Sequence, residues 1–132
     1  MSTKNLLILT DWYVPGFKAG GPITSIVNLV KLLHSHYNIF IVTGDRDLGD
    51  TKAYSDIQTN TWIKGENNEQ IFYCHQNKVS KNLLNTIIEV SKPNFIYYNS
   101  LFSIQFFIKP QLILKCLKSF YLLGIDLLLG LE

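Results

Sequence analysis

The residues best suited to chemistry cluster near the N-terminus, in Asp11-Trp12-Tyr13-Val14-Pro15-Gly16-Phe17-Lys18-Ala19-Gly20-Gly21-Pro22. Paired glycines let a backbone come close to a ligand. Pro22 suits the first position of a helix, where its missing N–H costs nothing. A helix N-terminus offers unpaired N–H groups and the positive end of a dipole, so Gly20, Gly21 and Pro22 form a candidate seat for an anion such as a diphosphate. The same triplet also serves as a plain tight turn from strand to helix, and loop chemistry alone does not separate the two. The pattern is neither GxGxxG nor GxxxxGK[ST], which argues against a dinucleotide fingerprint or a P-loop. Trp12, Tyr13 and Phe17 put three rings in this loop. Exposed, they suit contact with a sugar face or a lipid carrier; turned inward, they belong to the core.

Two further groups lie on loops. Asp45, Arg46 and Asp47 carry the right groups to order substrate hydroxyls, and equally to pair with one another in a solvated loop. Asn99 and Ser100 follow an apolar run, and neither is a good general base. Cys74 and His75 read as an ordinary strand end, because nothing fixes a base beside the thiol. His34 and His36 are two apart near a helix end and do not share a face, so a solvated helix terminus is favoured over a metal site.

These loops need elements to position them. Leu6 to Leu9, Asn38 to Thr43 and Phe95 to Tyr98 are short continuous apolar runs of the kind buried on both faces of a parallel sheet. Ile23, Ile26, Val27, Val30 and Leu33 recur at helical spacing and predict a helix from about Pro22 to His36. Val79 to Val90 predicts a second helix, ended by Lys92-Pro93. Residues 59–75 predict a small β-excursion, with strands at Thr61 to Lys64 and Gln70 to Cys74 around a turn. Leu101 to Lys118 reads as a helix that Pro110 kinks or divides, and Phe120 to Leu129 as a last strand. The alternation predicts an α/β fold: one Rossmann-like domain over residues 1–132, mostly parallel, with helices on both faces. Such sheets bind ligands beyond the carboxyl ends of their strands, at the point where strand order reverses. The loops after Thr10, Thr43 and Tyr98 are therefore the ones to watch.

Composition narrows the classes. Hydrophobic residues make up 47% of the 132 and charged residues 17%, which excludes a disordered chain. A net charge of +2, from 12 basic and 10 acidic residues, gives no footprint for nucleic acid. Two cysteines without a CxxC pair do not suggest a secreted disulfide scaffold, and the N-terminus runs straight into a strand without a signal peptide. The expectation is a cytoplasmic protein, with contact at the inner face of the membrane left open. Lys109, Lys115 and Lys118 lie with Phe106, Phe107 and Ile108 on the last helix. A basic and apolar helix of this kind docks on membranes, although covering the sheet is favoured here.

The order of these segments resembles the opening of family 4 glycosyltransferases. The resemblance rests on Tyr13-x-Pro15-Gly16-Phe17, Gly20-Gly21-Pro22, the helix that follows, His34-Ser-His-Tyr-Asn-Ile-Phe-Ile-Val-Thr-Gly44, the Gly44-Asp45-Arg46-Asp47 loop, and Pro93 to Ser103. It spans roughly residues 5–117, most of the chain. It implies the N-terminal, acceptor-side half of a GT-B enzyme of surface polysaccharide synthesis. In such an enzyme Gly20 and Gly21 would face the donor diphosphate, while Asp11 and residues 45–47 would border the cleft. A nucleotide-sugar would be substrate, no cofactor or metal is implied, and the acceptor would be a glycan or a lipid-linked sugar. The nucleotide-binding half would have to come from elsewhere, a second chain included, so the chain is expected to be inactive alone. Residues 118–132 depart from the family pattern. Two rival expectations stand beside this one: a truncated, non-catalytic remnant, and a small Rossmann- or flavodoxin-like nucleotide-binding module.

Overall fold

A computed structural model describes residues 3–99, 103–114 and 121–122. The elements in chain order are β1 (Lys4–Leu9), α1 (Gly21–Leu33), β2 (Tyr37–Gly44), β3 (Trp62–Lys64), β4 (Gln70–Cys74), α2 (Lys81–Ser91), β5 (Phe95–Tyr98), a π-helical turn (Ile104–Ile108) continuous with α3 (Lys109–Leu114), and β6 (Tyr121–Leu122). They form one six-stranded sheet of order β3-β4-β2-β1-β5-β6. All neighbours are parallel except β3 and β4. The fold is thus the expected α/β, Rossmann-like sheet.

The apolar runs form strands because both sides of the sheet are covered. On one face Leu6, Ile8, Ile39, Ile41, Ile71 and Tyr73 pack with Ile26 and Val30 of α1. On the other, Leu7, Leu9, Val42, Phe72 and Ile96 pack with Leu84 and Ile87 of α2 and with Phe106. Strand side chains alternate between faces, so a strand covered on both must be apolar throughout. Helix α2 starts at Ser80, whose side chain accepts a hydrogen bond from the Leu83 N–H, and ends on Lys92 in a left-handed conformation before Pro93.

Residues 59–75 form the expected β-excursion, strands β3 and β4 around a turn. Strand β4 is a full member of the parallel sheet, paired with β2 from Phe40↔Gln70 to Gly44↔Cys74, and only β3 is the antiparallel addition at the edge. Pro110 does not divide the last helix among the described residues. The irregularity precedes it: the Ile108 N–H bonds the Ser103 carbonyl at 2.9 Å, and the Lys109 N–H bonds Ile104. A π turn re-registers the ladder just ahead of a residue that has no N–H to give. The expected strand over Phe120 to Leu129 is described at Tyr121–Leu122 only, and the atypical tail otherwise lies outside the described residues. Among the described residues, no helix is long and apolar enough to cross a membrane.

Candidate functional site

Strand order reverses at β1. The crossover through α1 leads from β1 to β2 on one side, while α2 carries the chain from β4 to β5 on the other. Such a reversal, here between the carboxyl ends of β1 and β5, is where parallel α/β sheets hold their ligands in a crevice. Four segments meet there. Strand β1 leads into Thr10 and Asp11, and β5 into Asn99, whose N–H bonds the Leu9 carbonyl at 2.9 Å. The Asn99 Nδ2 donates to Thr10 Oγ1 at 3.3 Å and to the Pro22 carbonyl at 3.2 Å, joining β5 to the start of α1. Ser103 Oγ donates to Asp11 Oδ1 at 2.6 Å and accepts from the Phe106 N–H at 3.0 Å.

The N-terminus of α1 borders this crevice. No side chain caps it and its first turn holds no acidic residue. Gly20 has φ +67° and ψ −109°, a region that side chains with a Cβ avoid, so the turn itself explains this glycine. Gly21 is different. It has no positive φ, and a Cβ there would meet nothing within 4 Å. A glycine in a helix costs about 1 kcal/mol against alanine, so the fold alone gives no reason for it. Its effect is to leave bare backbone at the positive end of the helix.

The three aromatic residues of the first loop separate. Tyr13 turns inward and donates its OH to Glu69 Oε2 at 3.0 Å; burial, then the Glu69 charge, pushes its phenol well above the ordinary tyrosine range. Trp12 is half-buried, and Phe17 is 74% exposed. Two more tyrosines grip the loop from below. Tyr73 OH donates to the Val14 carbonyl at 2.6 Å and Tyr54 OH to the Tyr13 carbonyl at 3.3 Å. The Val14–Pro15 peptide bond is cis.

Asp45, Arg46 and Asp47 brace this loop. The Asp47 carboxylate accepts the N–H groups of Phe17 (3.0 Å), Lys18 (3.2 Å) and Leu48 (2.9 Å), clamping the first loop to the second. Burial would raise its pKa, but those bonds outweigh it and hold the carboxyl below the usual range. Asp45, 1% exposed, accepts from Arg46 Nε at 2.8 Å and from the Gln76 N–H at 3.0 Å. Its pKa also falls, because these donors and the Arg46 charge overcome desolvation. Arg46 in turn donates Nη1 to the Thr51 carbonyl at 2.6 Å. Gly44 completes the brace: a Cβ there would run into Asn77, whose Oδ1 accepts the Asp45 N–H at 2.9 Å.

The structure thus brings together Asp11, Gly20, Gly21, Pro22 and Asn99 and sets the 45–47 loop behind them. Ser100 lies outside the described residues. Ser103 and Thr10 join Asp11 and Asn99, and neither residue type signals a site in sequence. Ser103 stands 92 residues from Asp11, and only the parallel pairing of β1 with β5 reveals their meeting. The Cys74 thiol is fully buried; burial, then the nearby Asp45 charge, pushes its pKa up to about 12. Among the described residues, no group of three His, Cys, Asp or Glu side chains is placed to hold a metal ion. No protein-family model, curated protein or solved structure matches the chain.

Proposed function

We propose that this chain is the acceptor-side domain of a glycosyltransferase that passes a sugar from a nucleotide-sugar to a glycan or lipid-linked acceptor. The observation that carries the reading is the meeting, at the reversal of strand order, of the bare Gly20-Gly21 start of α1 with Asp11, Ser103 and Asn99. In this transfer the acceptor oxygen forms a bond to the anomeric carbon. The bond from that carbon to phosphate breaks, and the nucleoside diphosphate leaves with the electron pair. The α1 dipole and backbone would face the diphosphate as its charge grows. Asp11 and Asn99 would hold an acceptor hydroxyl, and Asp11 would take its proton as the new bond forms. Phe17 offers an exposed ring at the rim. The nucleotide itself would be gripped by a second domain, on this chain or another. We place the reaction in the cytoplasm, where nucleotide-sugars are made, and assign it to surface polysaccharide synthesis on the loop resemblance.

Calorimetric titration with nucleotides, nucleotide-sugars and flavins tests the reading. It predicts weak diphosphate-dependent binding that Gly21→Ala diminishes, because a Cβ would cover backbone the phosphate needs. Tight binding of a free nucleotide or flavin would sink it and favour a self-sufficient nucleotide-binding module.

A further inference from the structure

The segment after β5 is apolar on two sides. Its inner side seals the α2 face of the sheet: Phe106 and Pro110 are buried, and the Phe107 ring meets Tyr98 edge-on at 5.2 Å. Its outer side carries Ile104, Ile108 and Leu112, which are 61%, 43% and 65% exposed. Residues four apart on a helix stand one above another, so the three form a row. The fold gains little from aliphatic groups left in water, and a continuous row of them marks a docking surface.

Charge identifies what the row fits. From Val90 to Ile125 the sequence holds no acidic residue, while it holds Lys92, Lys109, Lys115 and Lys118. Lys109 lies on the helix itself, between Ile108 and Leu112, with its Nζ bonded to Gln105 Oε1 at 3.2 Å. Protein interfaces concentrate their energy in Trp, Tyr and Arg anchors, and the row has none. Aliphatic side chains in a stretch whose only charged residues are lysines suit the boundary between lipid headgroups and acyl chains. We infer that Ile104, Ile108 and Leu112 dock this domain on an anionic lipid bilayer, with Lys109 meeting lipid phosphates. Ser103, at the head of the row, is the residue bonded to Asp11, so docking would set the crevice at the membrane surface. The inference stands apart from the glycosyltransferase reading, since it needs neither a nucleotide-sugar nor turnover.

Vesicle flotation tests it, using phosphatidylcholine alone and phosphatidylcholine with roughly one-third phosphatidylglycerol. The chain is expected to float with the anionic vesicles, less so as salt is raised. Ile104→Glu with Ile108→Glu should cut that binding at least about tenfold, while Leu32→Glu, on the exposed side of α1, should leave it unchanged. If the paired glutamates alter the far-UV spectrum, Ile104→Ser with Leu112→Ser replaces them, with the same loss expected. Absence of binding to anionic vesicles overturns the inference, as does binding that ignores headgroup charge or survives these variants. A concentration-dependent dimer that the same variants dissolve, with no vesicle binding, would assign the row to a second copy of the chain.

Discussion

Asp47→Ala should be among the most damaging single changes to this domain outside its hydrophobic core. One carboxylate, 5% exposed, accepts three backbone N–H groups from two loops, at 2.9 to 3.2 Å. A hydrogen bond to a charged group contributes about 1.5–3 kcal/mol when its partner is left unpaired. The freed N–H groups of Phe17, Lys18 and Leu48 lie on loops that water can reach after small shifts, so the full sum is not expected. A net cost of about 2–4 kcal/mol is the reasonable range. Asp47→Asn keeps one acceptor oxygen and should fall between alanine and wild type. Urea unfolding followed by circular dichroism reads all three. The pH dependence supplies a second check. The folded pKa lies below the unfolded one, so the contribution of Asp47 is present above the ordinary carboxylate pKa of about 4 and is lost as pH falls through the folded value. The gap between wild type and Asp47→Ala should therefore be constant near neutrality and close in acid. A gap under about 1 kcal/mol at neutral pH, or one that widens in acid, would refute the clamp.

Other outcomes follow from the same geometry. Tyr13→Phe removes the OH that satisfies the buried Glu69 carboxylate, leaving it the Asn67 N–H at 2.9 Å, and should cost about 2 kcal/mol in urea unfolding. In a Cys116→Ser background, Cys74 should resist thiol reagents in the native state even at about pH 9 and react only on unfolding, because burial keeps the thiol protonated. The two glycines should part company: Gly20→Ala should lose about 2 kcal/mol or more through its positive φ, while Gly21→Ala should be neutral or gain up to about 1 kcal/mol, both read by thermal melts.

The sheet was legible because burial on both faces imposes unbroken apolar runs, and β1, β2 and β5 all carry one. The hairpin of β3 and β4 is legible for a related reason, since Ile71-Phe72-Tyr73-Cys74 is such a run, but local pattern does not record that β4 also bonds β2. Pro110 predicts a kink or a division because proline removes a helical hydrogen bond, whereas the π turn ahead of it absorbs that loss without dividing the helix among the described residues. At the site, the glycine turn announced itself through its own residue types. The role of Asp47 did not, since it bonds main-chain groups about thirty residues away, and main-chain groups carry no sequence signature. The Asp45-Arg46-Asp47 run leaves substrate chemistry and internal pairing both open in sequence, because carboxylates that satisfy backbone donors are just as polar as those that meet a substrate. Tyr13 turns inward where its OH meets a buried acceptor, Glu69, which immediately precedes β4, and Phe17 carries no such group.

The most direct measurement is a nitrogen-15 amide spectrum of the chain titrated with short glycan acceptors and, separately, with nucleotide-sugars. The proposed role predicts that glycans move the amides of Asp11, Gly21 and Asn99. Nucleotide-sugars should move Gly20 and Gly21 weakly and only when the diphosphate is present. Shifts confined to other surfaces, or a saturating nucleotide response with no glycan response, would contradict an acceptor-side crevice between β1 and β5.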